Sequence, residues 1–154
     1  MLTPGMNAPN IELQPIDGQK TSLSEFQNGR PVVVAFYKVG CPTCQFTAPY
    51  LDRMGHTASL PIVTISQDDP RATEAFNRKL GVTLPTMVDS GDANYPASNA
   101  FQITNVPSLF LVEPDGLITW AVMGFHKQAM LDLGERIGVN PFQPGEIVPE
   151  WKGG

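Results

Sequence analysis

The 154-residue chain has two cysteines and two histidines. A metal site built on the two thiolates would need about two further ligands, and neither His56 nor His126 has ligand spacing to the other or to the cysteines. No metal and no other cofactor is therefore expected, and a metal-binding or metal-chaperone module is a lesser alternative. Positive charge is also scarce. Ten Lys and Arg against fifteen Asp and Glu leave a formal charge of -5, with no basic cluster to neutralise a run of phosphates, so nucleic acid is excluded as a partner. No run of about 18 apolar residues occurs, which excludes an apolar helical membrane span. Met1 to Asn10 lack the basic and apolar regions of a signal peptide. The expected compartment is the cytoplasm, or an extracytoplasmic one if a leader has been removed.

What is present is enough for one core. Apolar residues make up 42% of the chain, and this length fits a single compact domain. The expected division is a domain over residues 1–139 and a Pro/Gly-rich tail over 140–154. The two cysteines lie three residues apart, in Cys41-Pro42-Thr43-Cys44. A bridge across so short a loop restricts the unfolded chain very little, so a structural disulfide is a poor explanation. A reversible dithiol between a strand and a helix start is a better one.

The surrounding pattern supplies that context. Residues 10–14 and 20–23 flank Asp17-Gly18 and read as an N-terminal hairpin, followed by a short helical turn at Ser24-Glu25-Phe26. Val32 to Tyr37 is a continuous β-branched and aromatic run, the mark of a strand buried on both faces. Pro42 suits the first position of a helix, making Cys41 the N-cap; the helix is expected to run to Met54 and stop at Gly55. Ile62 to Ser66 is a second buried strand. Asp69-Pro70 starts a helix whose inner face is Ala72, Phe76 and Leu80, closed by Gly81. A short helix is expected from Tyr95 to Phe101. Ser108 to Val112, the turn Glu113 to Gly116 and Leu117 to Met123 form a hairpin, and Met130, Leu133 and Ile137 mark a last helix. The Pro/Gly-rich tail shows no period and is expected to be extended or loosely packed. The order predicts an α/β domain with parallel pairs first, an antiparallel pair last and helices on both faces.

These motifs together resemble the redoxin branch of the thioredoxin superfamily, the alkyl hydroperoxide reductase/thiol-specific antioxidant and TlpA-like proteins. The resemblance rests on Gly5-Met6-Asn7-Ala8-Pro9 with Asp17-Gly18 and Ser22-Leu23, on Ala35-Phe36-Tyr37 through the two cysteines to Pro49, and on Val106-Pro107-Ser108 with Asp115-Gly116. It implies a thioredoxin-like fold, a central mixed sheet with helices on both faces and an N-terminal β-hairpin extension. It further implies a cis proline at 107, with Gly40, Pro42, Thr43, Val106 and Pro107 beside the substrate.

The chemistry follows from position. A thiol exchanges with a disulfide only as thiolate, and the unpaired N–H groups and positive dipole end of a helix N-terminus meet the Cys41 sulfur. Cys41 is thus the expected attacking thiol, and Cys44, one turn later on the same face, the resolving one. The implied activity is a thiol:disulfide oxidoreductase. Its partners would be a disulfide-containing protein or small-thiol substrate and a separate electron donor or acceptor.

Three positions depart from thioredoxin. Gly40 replaces the tryptophan before the first cysteine, Ala35 replaces a buried acid, and Lys38 is an unusual neighbour best read as exposed. The rival activity is a thiol peroxidase with Cys41 peroxidatic and Cys44 resolving. Against it, Lys38 and Val34 stand where peroxiredoxins hold a threonine and a proline, and Arg53 and Arg71 read as solvated helix residues rather than as an activating arginine. Asp68, Asp69 and Glu74 read as capping and first-turn charges.

Overall fold

Val32–Tyr37 (β3) is the only strand whose every residue is apolar and buried, and the rest of the fold is arranged around it. The computed structural model describes all 154 residues. Before β3 come β1 (Glu12–Leu13), β2 (Thr21–Ser22) and α1 (Leu23–Gln27); β1 and β2 pair antiparallel as the expected hairpin. After it come α2 (Pro42–Thr57), β4 (Ile62–Ser66), α3 (Pro70–Leu80), β5 (Thr86–Val88), α4 (Pro96–Ala100), β6 (Ser108–Val112), β7 (Ile118–Met123), β8 (Phe125–His126), α5 (Lys127–Ile137) and β9 (Trp151–Lys152).

The main sheet has the order β5-β4-β3-β6-β7. β3 runs parallel to β4 and antiparallel to β6, so the sheet is mixed with β3 at its centre. Alternation of side chains divides β3 between two cores. Val32, Val34 and Phe36 face the hairpin, α1 and α4 with Leu13, Leu23, Ala97 and Phe101. Val33 and Ala35 face α2 and α5 with Leu51, Met54, Met130 and Leu133. No helix is long and apolar enough to cross a membrane.

The strand directions bring one edge together. β3 and β4 end there, β6 begins there, and β7 ends opposite Ser108. Five segments therefore meet: residues 38–41, 67–68, 105–107, 123–126 and, through the pairing of β9 with β8, 151–154.

Several expectations are corrected. Gly55 does not stop α2, which continues to Thr57 with Ala58 as C-cap. It instead lies under Leu84, whose side chain would have to move for a Cβ there, 2.4 Å from Cδ2. On α3 the innermost residues are Thr73 and Phe76, with Ala72 and Leu80 only half-buried. β5 escaped the pattern because it is three residues long, enclosed by Pro85 and Asp89.

Most of the tail is exposed, as expected of an extended segment, but it is pinned to the core: Phe142 and Val148, with Val139 just before it, pack beside α2 and α5. Phe142 meets Tyr50 edge-on with ring centroids 5.4 Å apart. Arg53 is correspondingly not a solvated residue. Its guanidinium donates to Glu146 at 2.8 and 3.2 Å and to the Pro141 carbonyl at 2.7 Å, and lies 5.1 Å over the Tyr50 ring. The hydrogen bonds from Arg53, and after them that from Gln143 N–H, hold the Glu146 carboxyl below its ordinary range.

Candidate active site

Cys41 stands at the end of the loop that leaves β3. Its backbone is extended (φ -88°, ψ 115°), and Pro42 begins α2. Pro42 loses nothing there, since the first N–H groups of a helix have no intrahelical partner. One of those free donors is used: Cys44 N–H donates to Cys41 Sγ at 3.1 Å. The Cys41 sulfur is thus the cap of the helix, in contact with the partial positive charge of its first turn. Cys41 is half-buried and Cys44 is 1% exposed; both are free thiols.

The loop before Cys41 is fixed by a carboxylate. Asp68, after β4, accepts from Val39 N–H at 2.8 Å. The sequence reading of Asp68 as a capping charge is corrected: the N-cap of α3 is Asp69, which accepts from Ala72 N–H at 2.8 Å, and Asp68 grips the cysteine loop instead. Lys38 is exposed, and so is Gly40, around whose Cα there is open space.

Across the edge, the Val106–Pro107 peptide bond is cis. The Cys41 thiol donates to the Val106 carbonyl at 3.5 Å. Pro107 is buried and, with Tyr37, Cys44 and Phe76, lines a small apolar cavity beneath the second cysteine. Of the seven residues predicted for the site, Cys41, Cys44, Val106 and Pro107 converge; Pro42 and Gly40 form the exposed rim. Thr43 is buried, and its hydroxyl donates to the Gly153 carbonyl of the chain's own tail. Asn105, Gly124 and residues 151–154 also reach this edge and carried no periodic signal. His56 contacts Asp52 and Thr83, His126 precedes α5, and no three Cys, His, Asp or Glu gather as a metal ligand set.

The Cys44 thiol is pushed far above the ordinary thiol range. Burial is the main cause, followed by its hydrogen bond with Cys41; the charges of Cys41 and Asp68 act in the same direction, and a main-chain hydrogen bond from Lys38 opposes them. Burial raises Tyr37 as well. A thiol raised on folding favours the native state while both states are protonated. The unfolded chain begins to release that proton near pH 8.5, and the native chain does so only later, so stability is lost as pH rises. Tyrosine enters only above about pH 10. The reduced protein should therefore lose stability between about pH 8.5 and pH 10, at a slope of up to about 1.4 kcal/mol per pH unit. Urea midpoints for wild type and Cys44→Ala across that interval check this, the variant giving the flatter profile.

A sequence model described as the AhpC/TSA family matches residues 4–121. The thiol-disulfide oxidoreductase ResA of Bacillus subtilis is 26% identical over 149 residues, covering 94% of this chain and 79% of that protein. A candidate peroxiredoxin of Mycobacterium tuberculosis is 33% identical over 133 residues, covering 78% of this chain and 84% of its own. Among solved structures, the thioredoxin domain of a thiol-disulfide oxidoreductase from Bacteroides vulgatus superposes with a TM-score of 0.77 at 23% identity, covering 91% of this chain and all of that one (100%). That likeness establishes the thioredoxin-like fold.

Proposed function

The chain belongs to the AhpC/TSA family, and from that premise we propose that it is a thiol:disulfide oxidoreductase in which Cys41 attacks and Cys44 resolves. The observation that carries the reading is the asymmetry of the pair. One sulfur is half-exposed and caps a helix through the Cys44 N–H at 3.1 Å; the other is buried one turn deeper.

The Cys41 thiolate attacks one sulfur of a substrate disulfide. A new S–S bond forms, the substrate S–S bond breaks, and one substrate thiolate departs. Cys44 then gives up its proton and attacks Cys41 Sγ, breaking the mixed disulfide and releasing the second substrate thiolate. The Cys41–Cys44 pair is left oxidised and the substrate, once reprotonated, carries two thiols. Two electrons have moved to the substrate, and a separate donor restores the dithiol. Run in reverse, the same steps oxidise a substrate dithiol. Ala35 offers no carboxylate to accept the Cys44 proton, which passes to solvent or to a departing thiolate.

The peroxidase reading is favoured by the 33% identity to the candidate peroxiredoxin. Against it, Arg53 is engaged by Glu146 and Pro141, and the positions where peroxiredoxins hold a threonine and a proline are an exposed Lys38 and a Val34 buried in the core. Insulin-disulfide reduction and peroxide consumption, measured for wild type and Cys41→Ser, separate the two. The expected result is Cys41-dependent insulin reduction with peroxide consumed no faster than by a free thiol. Rapid, Cys41-dependent peroxide turnover would reverse the assignment.

A further inference from the structure

Residues 149–154 leave the core beside Phe142 and return to the cysteine edge. β9 adds to β8 antiparallel, with Phe125 opposite Lys152 and His126 opposite Trp151. Lys127 N–H donates to the Glu150 carbonyl at 3.0 Å. Lys152 Nζ lies 5.1 Å over the Phe46 ring, and Trp151 lies beside His126 with ring centroids 6.2 Å apart. Beyond β9 the chain passes the cysteines themselves. The Gly153 carbonyl accepts from the hydroxyl of Thr43, which stands between Cys41 and Cys44. The Gly154 carbonyl accepts from Asn105 Nδ2 at 3.5 Å.

The approach is close enough to need glycine. A Cβ on Gly154 would lie 2.5 Å from the Val106 oxygen and 3.0 Å from its carbonyl carbon. That oxygen is the acceptor of the Cys41 thiol. From the other side, a Cβ on Gly124 would lie 2.8 Å from the Lys152 oxygen and 3.3 Å from the Gly154 nitrogen. These obstacles are backbone atoms, which cannot rotate away as a side chain can. Gly124 and Gly154 therefore permit an extended strand to lie directly against Val106 and the first turn of α2.

We propose that residues 151–154 are an internal occupant of the groove in which an extended peptide disulfide lies, so that such a substrate reaches Cys41 only after this segment leaves. The proposal rests on the disulfide-exchange reading of the site. The segment is suited to leaving: all four residues are exposed, and β9 is only two residues long. Such a segment opens at low cost, and as a tethered competitor it reduces the apparent affinity of a peptide by the fraction of time the groove is closed. A small disulfide needs only the half-exposed sulfur and is little affected.

Three reduced proteins test this: the full chain, a chain ending at Glu150, and the full chain carrying Gly154→Val, which cannot sit against Val106. Each is reacted with an extended peptide carrying an activated disulfide, with glutathione disulfide, and with iodoacetamide. Exchange with the peptide should be about tenfold faster in the two altered proteins, with the other two rates changed less than about twofold. The free Glu150–Gly154 peptide, added to the shortened chain, should slow peptide exchange again. Equal peptide rates in all three proteins, or equal acceleration of all three reagents, would overturn the proposal. If iodoacetamide labels Cys41 but no protein exchanges with any disulfide, the oxidoreductase reading fails instead. The tail is then judged by a peptide-linked iodoacetamide, which should label the shortened chain faster if the groove was occupied and at an unchanged rate if it was not.

Discussion

Replacing Cys41 with serine should lower disulfide exchange by about a thousandfold or more, to the background of the bulk reductant. A hydroxyl at the same place can cap α2 as well as the sulfur does, because serine is a favoured N-cap. The fold should be undisturbed and the loss should lie in the chemistry. Cys44→Ser should behave differently. Its buried hydroxyl cannot displace a mixed disulfide, so turnover should fall about as far, while the first release of substrate thiol is retained. A stopped assay that counts released thiol separates the two: about one equivalent from Cys44→Ser and none from Cys41→Ser. If Cys41→Ser gave the burst instead, the roles would have to be exchanged.

The second large effect is on stability. Phe125 is fully buried, and it joins elements that the sheet alone does not tie together. Its ring meets Phe46 edge-on at 4.9 Å and lies 5.9 Å from Tyr50 and 6.3 Å from Phe142 between centroids. Phe46 and Tyr50 are on α2, Phe142 begins the tail, and Phe125 itself is in the strand on which β9 pairs. Phe125→Ala would leave a cavity that three aromatic rings, two held by α2 and one by the tail, cannot collapse to fill. The expected cost is about 3–5 kcal/mol, read as a lowered urea midpoint of the reduced protein. Tail and catalytic helix should loosen together, seen as faster amide exchange in both residues 151–154 and the first turn of α2. A loss below about 1 kcal/mol would show that the cluster is not the joint described here.

Much of this arrangement is visible in the chain itself, for reasons that differ by element. β3 is legible because six consecutive apolar residues can only be buried on both faces of a sheet. The start of α2 is legible because Pro42 is favoured where a helix has donors to spare. The cis bond at Pro107 followed from the resemblance carried by Val106-Pro107-Ser108; nothing in the dipeptide alone dictates it. The misreadings have different causes. Gly55 reads as a helix stop, yet α2 runs past it and its missing side chain leaves room for Leu84, as Gly154 leaves room for the Val106 carbonyl. Close approach and chain breaking leave the same mark on a sequence, because both need a residue without Cβ. Arg53 was misread because its partners, Glu146 and the Pro141 carbonyl, lie about ninety residues away along the chain and come within reach only once the tail has folded back onto α2. β8 and β9, two residues each, are too short to show an alternation.

The division of labour within Cys41-Pro42-Thr43-Cys44 is the center of the account, and mass spectrometry of the trapped complex tests it most directly. Cys44→Ser, reduced and then mixed with a peptide disulfide, should accumulate a one-to-one covalent adduct that maps to Cys41 and disappears on reduction. Cys41→Ser under the same conditions should remain unmodified. An adduct on Cys44 in Cys41→Ser, or no adduct in either protein, would contradict the assignment of Cys41 as nucleophile and Cys44 as resolver.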